Sequence, residues 1–288
     1  MIFDATIKEL LTRKLLDLEN HFQGDVIFFL GEIQPAFLRI FRDAIEDLKK
    51  DSNSKSKLVF FLNTPGGSAE TAEKMADIIR HHYKEVYFVV PDLAMSAGTI
   101  FCMSGDRIYM DYSSSLGPID PQVWNGQQWV PALGYLDKVE QLLEKARSGT
   151  ITNAEFLILQ SQDLAHLSRC EQAKELTITL LKKWLVEYKF KDWKFHASNP
   201  SQKGKPVTDQ EKKERAEQIA DQLGNNKQWH SHGRMIGIGT LQNVLKLKVE
   251  DYSKDVLLQL MIRSYNDLLT EYIARNNLRV FLHSRKYF

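Results

Sequence analysis

At 288 residues the chain can hold one large domain, or a domain with an appendage. With 43% hydrophobic and 26% charged residues it has apolar surface to bury, which excludes wholesale disorder. The 38 basic and 37 acidic side chains nearly cancel, leaving +1, so nothing in the charge calls for a nucleic-acid or anionic-membrane partner. Leu10, Leu11, Leu15, Leu16 and Leu18 predict an N-terminal helix to about residue 20. Residues 25–30 (DVIFFL) form the first predicted buried strand. Pro35 suits the first turn of a helix, and Phe37, Phe41, Ala44 and Leu48 give that helix an apolar stripe to about Lys49. The polar segment 50–57 is a surface loop.

Residues 58–62 form a second strand that runs into a Pro-Gly-Gly turn. Ser68 is a good N-cap for the helix that follows, with Ala72, Met75, Ile79 and Tyr83 on its buried face. Residues 86–90 form a third strand, followed by a turn at Ser96, a short apolar helix over 99–103, and a fourth strand over 107–110. Gly117, Pro118 and Pro121 make 113–122 an irregular loop. From Pro131 a helix runs to about Arg147, with Leu136, Val139, Leu143 and Ala146 on its apolar side. Two further helices are predicted over 153–168 and 171–188, then a polar linker near 192–205. Thr208 and Glu211 form a capping box for a charged helix that stops at Gly224. Residues 229–241 are a loop holding His230 and His232. Residues 253–274 form an amphipathic helix, and the tail carries no assignment. Strands alternate with helices in the first half and helices dominate the second, so the class is α/β with a parallel sheet.

Two glycine-marked turns organise this pattern: Asn63-Thr64-Pro65-Gly66-Gly67-Ser68 and Ala94-Met95-Ser96-Ala97-Gly98-Thr99. Each follows a buried strand and opens a helix, which puts both at the carboxyl end of the sheet, where α/β proteins keep their chemistry. Ser96 stands where a nucleophile would be presented, although a serine there also fits a helix N-cap. With the loop Ser113-Ser114-Ser115-Leu116-Gly117-Pro118-Ile119-Asp120-Pro121-Gln122, the two turns resemble the serine dehydrogenase proteinase family. That family belongs with the Clp-type, crotonase-like peptidases and is related to signal peptide peptidase A. The resemblance is strong over about 23–145 and looser to the end.

The resemblance implies a Clp/crotonase-like spiral of ββα units over 1–150 as the catalytic core. The helical region 151–288 would complete the fold and mediate assembly. It also implies Ser96 as nucleophile and the N–H groups of Gly67 and Ala97 as oxyanion hole, with Gly66 and Gly98 against the substrate. Elementary physics asks for the same parts, since fixed donors must meet the developing oxyanion and glycine lets the backbone approach closely. The Clp-type pattern would place a histidine in the loop after the fourth strand, where Gly117-Pro118-Ile119-Asp120 has none. Relatives of signal peptide peptidase A use a lysine some forty to fifty residues beyond the serine. Lys138 lies in that window, and a Ser–Lys dyad is expected, with Lys145 or a histidine such as His232 as alternative bases. Asp120 fits either orienting the base or capping a loop.

The expected function is a serine endopeptidase acting on protein or peptide substrates, without cofactor or metal, as a homo-oligomer. The His230-Ser231-His232 pair has no evident third ligand for a metal. Gly237-Ile238-Gly239 lacks the third glycine of a dinucleotide fingerprint. Rival readings are a crotonase-type acyl-CoA thioester enzyme, which would not need Ser96, and a non-catalytic Clp-like scaffold. No nucleic acid is expected, and neither a membrane nor an unfoldase partner is indicated. Two cysteines, Cys102 and Cys170, make no disulfide framework, the first residues do not form a signal peptide, and no apolar run nears about 20 residues. The expected location is cytoplasmic.

Overall fold

The computed structural model describes residues 2–196 and 201–288. Helix α1 (Ile2–Phe22) leads into strand β1 (Asp25–Leu30), then α2 (Leu38–Lys50), β2 (Lys57–Asn63), α3 (Ala69–His82) and β3 (Glu85–Val89). Next come β4 (Leu93–Ala94), α4 (Ala97–Met103), β5 (Arg107–Met110), β6 (Ser115–Leu116), and a hairpin of β7 (Gln122–Trp124) and β8 (Trp129–Pro131). The second half holds α5 (Ala132–Arg147), α6 (Asn153–Gln160), α7 (Leu164–Trp184), α8 (Asp209–Leu223) and the short α9 (Asn226–Trp229). It ends with β9 (Ile236–Gly237), α10 (Ile238–Asn243), β10 (Glu250–Asp251), α11 (Val256–Arg275) and β11 (Phe281–Ser284). The protein is mixed α/β.

The central sheet has six strands in the order β10-β5-β3-β2-β1-β11, parallel throughout except for β11, which runs antiparallel to β1. Strands β1, β2 and β3 are buried on both faces, which is why they read as continuous Val, Ile, Leu and Phe rather than as an alternation. One face packs against α2, α3, α4, α7 and α8, and a single apolar cluster joins Phe60 and Phe88 of the sheet to Leu181 and Ile219. The other face is covered by α1 and α11 through Leu11, Leu15, Ile262 and Tyr265.

Most predicted elements stand within a few residues of their expected bounds, and the differences have local causes. The tail forms β11, whose four residues are too short to show a strand pattern. The two expected helices over 153–188 break earlier, because Asp163 caps α7 by accepting from the Ala165 N–H at 2.8 Å. On α5 the buried residues are Ala132, Leu133, Val139 and Leu142, not Leu143 and Ala146, so the helix is turned relative to the expected stripe. The expected linker 192–205 lies partly outside the described residues. Its flanks are joined by the His196 N–H donating to the Lys205 carbonyl at 3.0 Å and by a bridge between Phe195 and Pro206.

Among the described residues no helix is long and apolar enough to cross a membrane. Cys102 and Cys170 are both free and buried.

Candidate active site

The two glycine-marked turns meet at the carboxyl edge of the sheet. Thr64 and Ala94 form a parallel bridge, with the Thr64 N–H donating to Leu93 and the Met95 N–H to the Thr64 carbonyl, each at 3.0 Å. Thr64 Oγ1 also accepts from the Gly66 N–H at 3.1 Å, which fixes the Pro-Gly-Gly turn from within. The loop after β5 is tied to the same place. Thr99 Oγ1 lies 2.8 Å from the Ala94 carbonyl and 2.9 Å from that of Gly117, which share its one proton, and accepts from the Gly117 N–H at 2.9 Å.

Ser96 sits at the tip of the β4–α4 turn with φ 51 and ψ −115. A positive φ away from the left-handed helical well costs roughly 1–3 kcal/mol and persists only where the surroundings impose it. The Ser96 side chain does not cap α4, and its hydroxyl bonds to no described residue. The N-cap explanation of this serine therefore fails on geometry. Ser68, in contrast, caps α3 as expected, accepting from the Thr71 N–H at 2.9 Å.

Gly66 and Gly67 adopt φ +114 and +139, conformations that L side chains rarely take. A Cβ on Gly66 would lie 2.9 Å from the Cβ of Ser96, and one on Gly67 would lie 2.2 Å from the Ile33 carbonyl oxygen. The Ile33 N–H donates to Gly66 at 2.7 Å, and the Ser68 N–H donates to Ile33 at 2.9 Å. Since successive backbone groups alternate in direction, the N–H of Gly67 between them points away from Ile33. The N–H of Ala97, the first residue of α4, has no acceptor within the helix. Among the described residues neither of these two N–H groups has an acceptor.

Ser96, Ala97, Gly66 and Gly67 line one cavity of about 650 Å³. Its walls are mostly apolar, including Ile100, Ile119 and Trp129, with Leu176 and Thr177 from α7. Gln122 also lines it, with Nε2 buried and unpartnered. His232 completes the lining. It arrives from far along the chain because β9 pairs antiparallel with β6, Ser115 opposite Gly237 and Leu116 opposite Ile236. Burial lowers the His232 imidazole below the ordinary histidine value, opposed by the Asp120 main-chain carbonyl beside the ring. His232 also lines a second cavity of about 540 Å³ that holds His166, Arg169 and His230.

The other expected residues lie elsewhere. Lys138 is exposed, and no residue of α5 lines the Ser96 cavity, because the buried side of that helix turns Lys138 outward. Lys145 is held by Glu155 at 2.5 Å on the surface. Gly98 does not line the cavity. A Cβ there would meet Thr64 Cγ2 at 2.4 Å, so the close packing of α4 on the turn by itself calls for a glycine at this position. Asp120 is buried, with Oδ1 accepting from the Leu133 N–H at 3.0 Å at the start of α5. Burial, with a contribution from Asp137, pushes its carboxyl up to about 6 against the opposing Leu133 hydrogen bond. The α7 wall and Gln122 carry no local sequence signal, since only the fold brings them to the turn.

A strained serine at the carboxyl edge of a mostly parallel sheet thus lines one cavity with Gly67 and Ala97, whose N–H groups have no acceptor among the described residues. The chain belongs to the family described as ClpP-like SDH-type serine proteinases, which matches residues 32–214 and so includes Ser96 and Lys138 but ends before His232. Two similar proteins are uncharacterized proteins of Methanocaldococcus jannaschii. One is 33% identical over 171 residues, 56% of each chain. The other is 31% identical over 124 residues, 43% of this chain and 38% of that protein. The chain thus spans about half or less of the length of these relatives. Among solved structures, a mutant of the 1510-N membrane-bound stomatin-specific protease is 20% identical with a TM-score of 0.31, covering 42% of this chain and 61% of that one. Another mutant of that protease, in complex with a substrate peptide, is 22% identical with a TM-score of 0.32, covering 42% and 57%.

Proposed function

We propose that the protein is a serine endopeptidase whose nucleophile is Ser96 and whose general base is His232. The observation that carries this reading is the single cavity lined by Ser96, Gly67, Ala97 and His232. Ser96 Oγ attacks the carbonyl carbon of a peptide bond while the neutral His232 imidazole takes its proton. The N–H groups of Gly67 and Ala97 hold the tetrahedral oxyanion. Collapse of that intermediate expels the amine, protonated by His232, and leaves an acyl-enzyme on Ser96. Water, activated by the same imidazole, then releases the acid.

His232 is preferred to Lys138 because it lines the same cavity as Ser96, where a general base can come within reach of the proton it removes, whereas Lys138 is exposed. The Ser–Lys dyad implied by the family resemblance would need α5 to turn Lys138 Nζ from the surface into the cavity. The Clp/crotonase-like spiral of ββα units remains the frame in which we read the two turns. We further propose assembly with further copies of this chain. The half or more exposed Phe156, Leu157 and Ile158 on α6, and Val256, Leu257 and Leu260 on α11, support that reading.

The test is incubation of the protein with an unfolded polypeptide in chelator-containing buffer, with products sequenced by mass spectrometry. New internal cleavage termini are expected. Turnover of acyl-CoA thioesters without peptide cleavage would replace this reading by the crotonase-type one, and no turnover of either would favour the scaffold.

One substitution probes the oxyanion hole separately. Gly67→Ala sets a methyl against the Ile33 carbonyl and moves the Gly67 N–H. The expected result is a fall in kcat on the order of 10²–10³-fold with labelling of Ser96 by small electrophiles retained. An unchanged kcat would remove Gly67 from the hole.

A further inference from the structure

The second cavity, of about 540 Å³, has no part in the scheme above, although it meets the Ser96 cavity at His232. It has room for a side chain of any size, so the chemistry of its walls decides what it accepts. Those walls carry hydrogen-bond donors in excess. Arg169 on α7 lines the cavity and forms no hydrogen bond or ion pair with any described residue. Asn125 Oδ1 accepts from the Gln127 and Gln128 N–H groups at 3.0 and 2.9 Å, which leaves its Nδ2 as the free end. His166, only 8% exposed, adds a third donor. Its Nε2 lies 3.6 Å from Cys170 Sγ, and burial raises that thiol, which keeps its hydrogen and directs it to Nε2. The neutral ring then carries its own hydrogen on Nδ1, which is buried without a partner among the described residues. Asp163 is the one carboxylate among the described lining residues. It accepts from the Ala165 N–H at the start of α7 and makes no ion pair with Arg169.

Resting on the peptidase reading of Ser96 and His232, we infer that this second cavity is a subsite for a carboxylate of the peptide substrate, with Arg169 as its specificity-determining residue. A guanidinium offers a carboxylate two parallel N–H donors, and His166 and Asn125 add uncharged donors to the same lining. A neutral amide of equal size is a poor substitute, because its NH₂ would meet donors rather than acceptors. Since the cavity shares His232 with that of Ser96, the carboxylate belongs to a residue near the bond being cut. Aspartate and glutamate side chains supply such a group, as does the C-terminus of a chain.

The test is binding of fluorescent peptides, acetylated and amidated at their ends, to Ser96→Ala protein, which cannot turn them over. Glutamate or glutamine is placed at each position in turn, and affinity is read by anisotropy. At one position glutamate is expected to bind about tenfold more tightly than glutamine. Arg169→Gln in the same background should abolish that difference and Arg169→Lys should keep part of it, both with unchanged melting temperatures. With Ser96 present, Arg169→Gln should leave kcat/KM on the glutamine peptide within about twofold of wild type. A glutamine peptide with a free C-terminus that gains the same Arg169-dependent tightening would assign the subsite to the chain end. Equal binding of both peptides at every position, or a preference that survives Arg169→Gln, would overturn the inference; cleavage of both by the wild-type protein would leave the peptidase reading intact. Arg169-dependent selection of glutamate by a protein that cleaves no peptide would keep the subsite and end the peptidase reading.

Discussion

Replacing Ser96 with alanine is expected to reduce kcat for peptide hydrolysis on the order of 10⁴–10⁶-fold, measured against a fluorogenic peptide. The size follows from its place at the start of the scheme. Without the hydroxyl no acyl-enzyme forms, and only the oxyanion donors and substrate binding remain. The fold should not notice the change. The hydroxyl makes no hydrogen bond with any described residue and does not cap α4, so its removal leaves no partner unsatisfied. Melting temperature and KM are therefore expected to stay at wild-type values. A variant that keeps activity within about tenfold would exclude Ser96 as nucleophile.

The second large effect belongs to the base. His232→Gln is expected to lower kcat by at least about 10³-fold, whereas Lys138→Ala should stay within about threefold. The difference is geometric, since one side chain lines the cavity with Ser96 and the other is exposed on a helix that contributes nothing to it. The pH dependence follows from the same assignment. The neutral imidazole is the active form, so activity is lost as pH falls through its pKa. Burial moves that pKa below 6.5, and kcat/KM should form a plateau above this value with its acid limb below it. The carboxyl of Asp120, pushed up to about 6, titrates in the same limb. An acid limb centred above about pH 8, together with an inactive Lys138→Ala, would return the base to the lysine.

The turn that carries Ser96 was legible in the sequence because its determinants are local. Two glycines at positive φ, a serine after a buried strand, and an N-capping Ser68 all announce themselves within a few residues. The parallel sheet was legible for the same reason, since doubly buried strands are continuous apolar runs. The base was not. His232 reaches the cavity through β6 and β9, strands of two residues each whose pairing leaves no periodic trace. Lys138 satisfied a distance along the chain, but the helix rotation that decides its direction depends on whether Leu142 or Leu143 packs inward, and amphipathicity alone did not separate them. Gly98 shows a related limit: a glycine required for packing against Thr64 and one required for substrate approach look alike until the neighbours are known.

The central claim is that the Ser96 hydroxyl is the reactive group in the cavity closed by His232. Reaction of the intact protein with a peptidyl fluorophosphonate, followed by digestion and tandem mass spectrometry, tests it directly. One adduct, on the peptide carrying Ser96, formed much more slowly in His232→Gln, is the predicted result. An adduct on another residue, or peptide hydrolysis that proceeds with Ser96 unmodified, would contradict it.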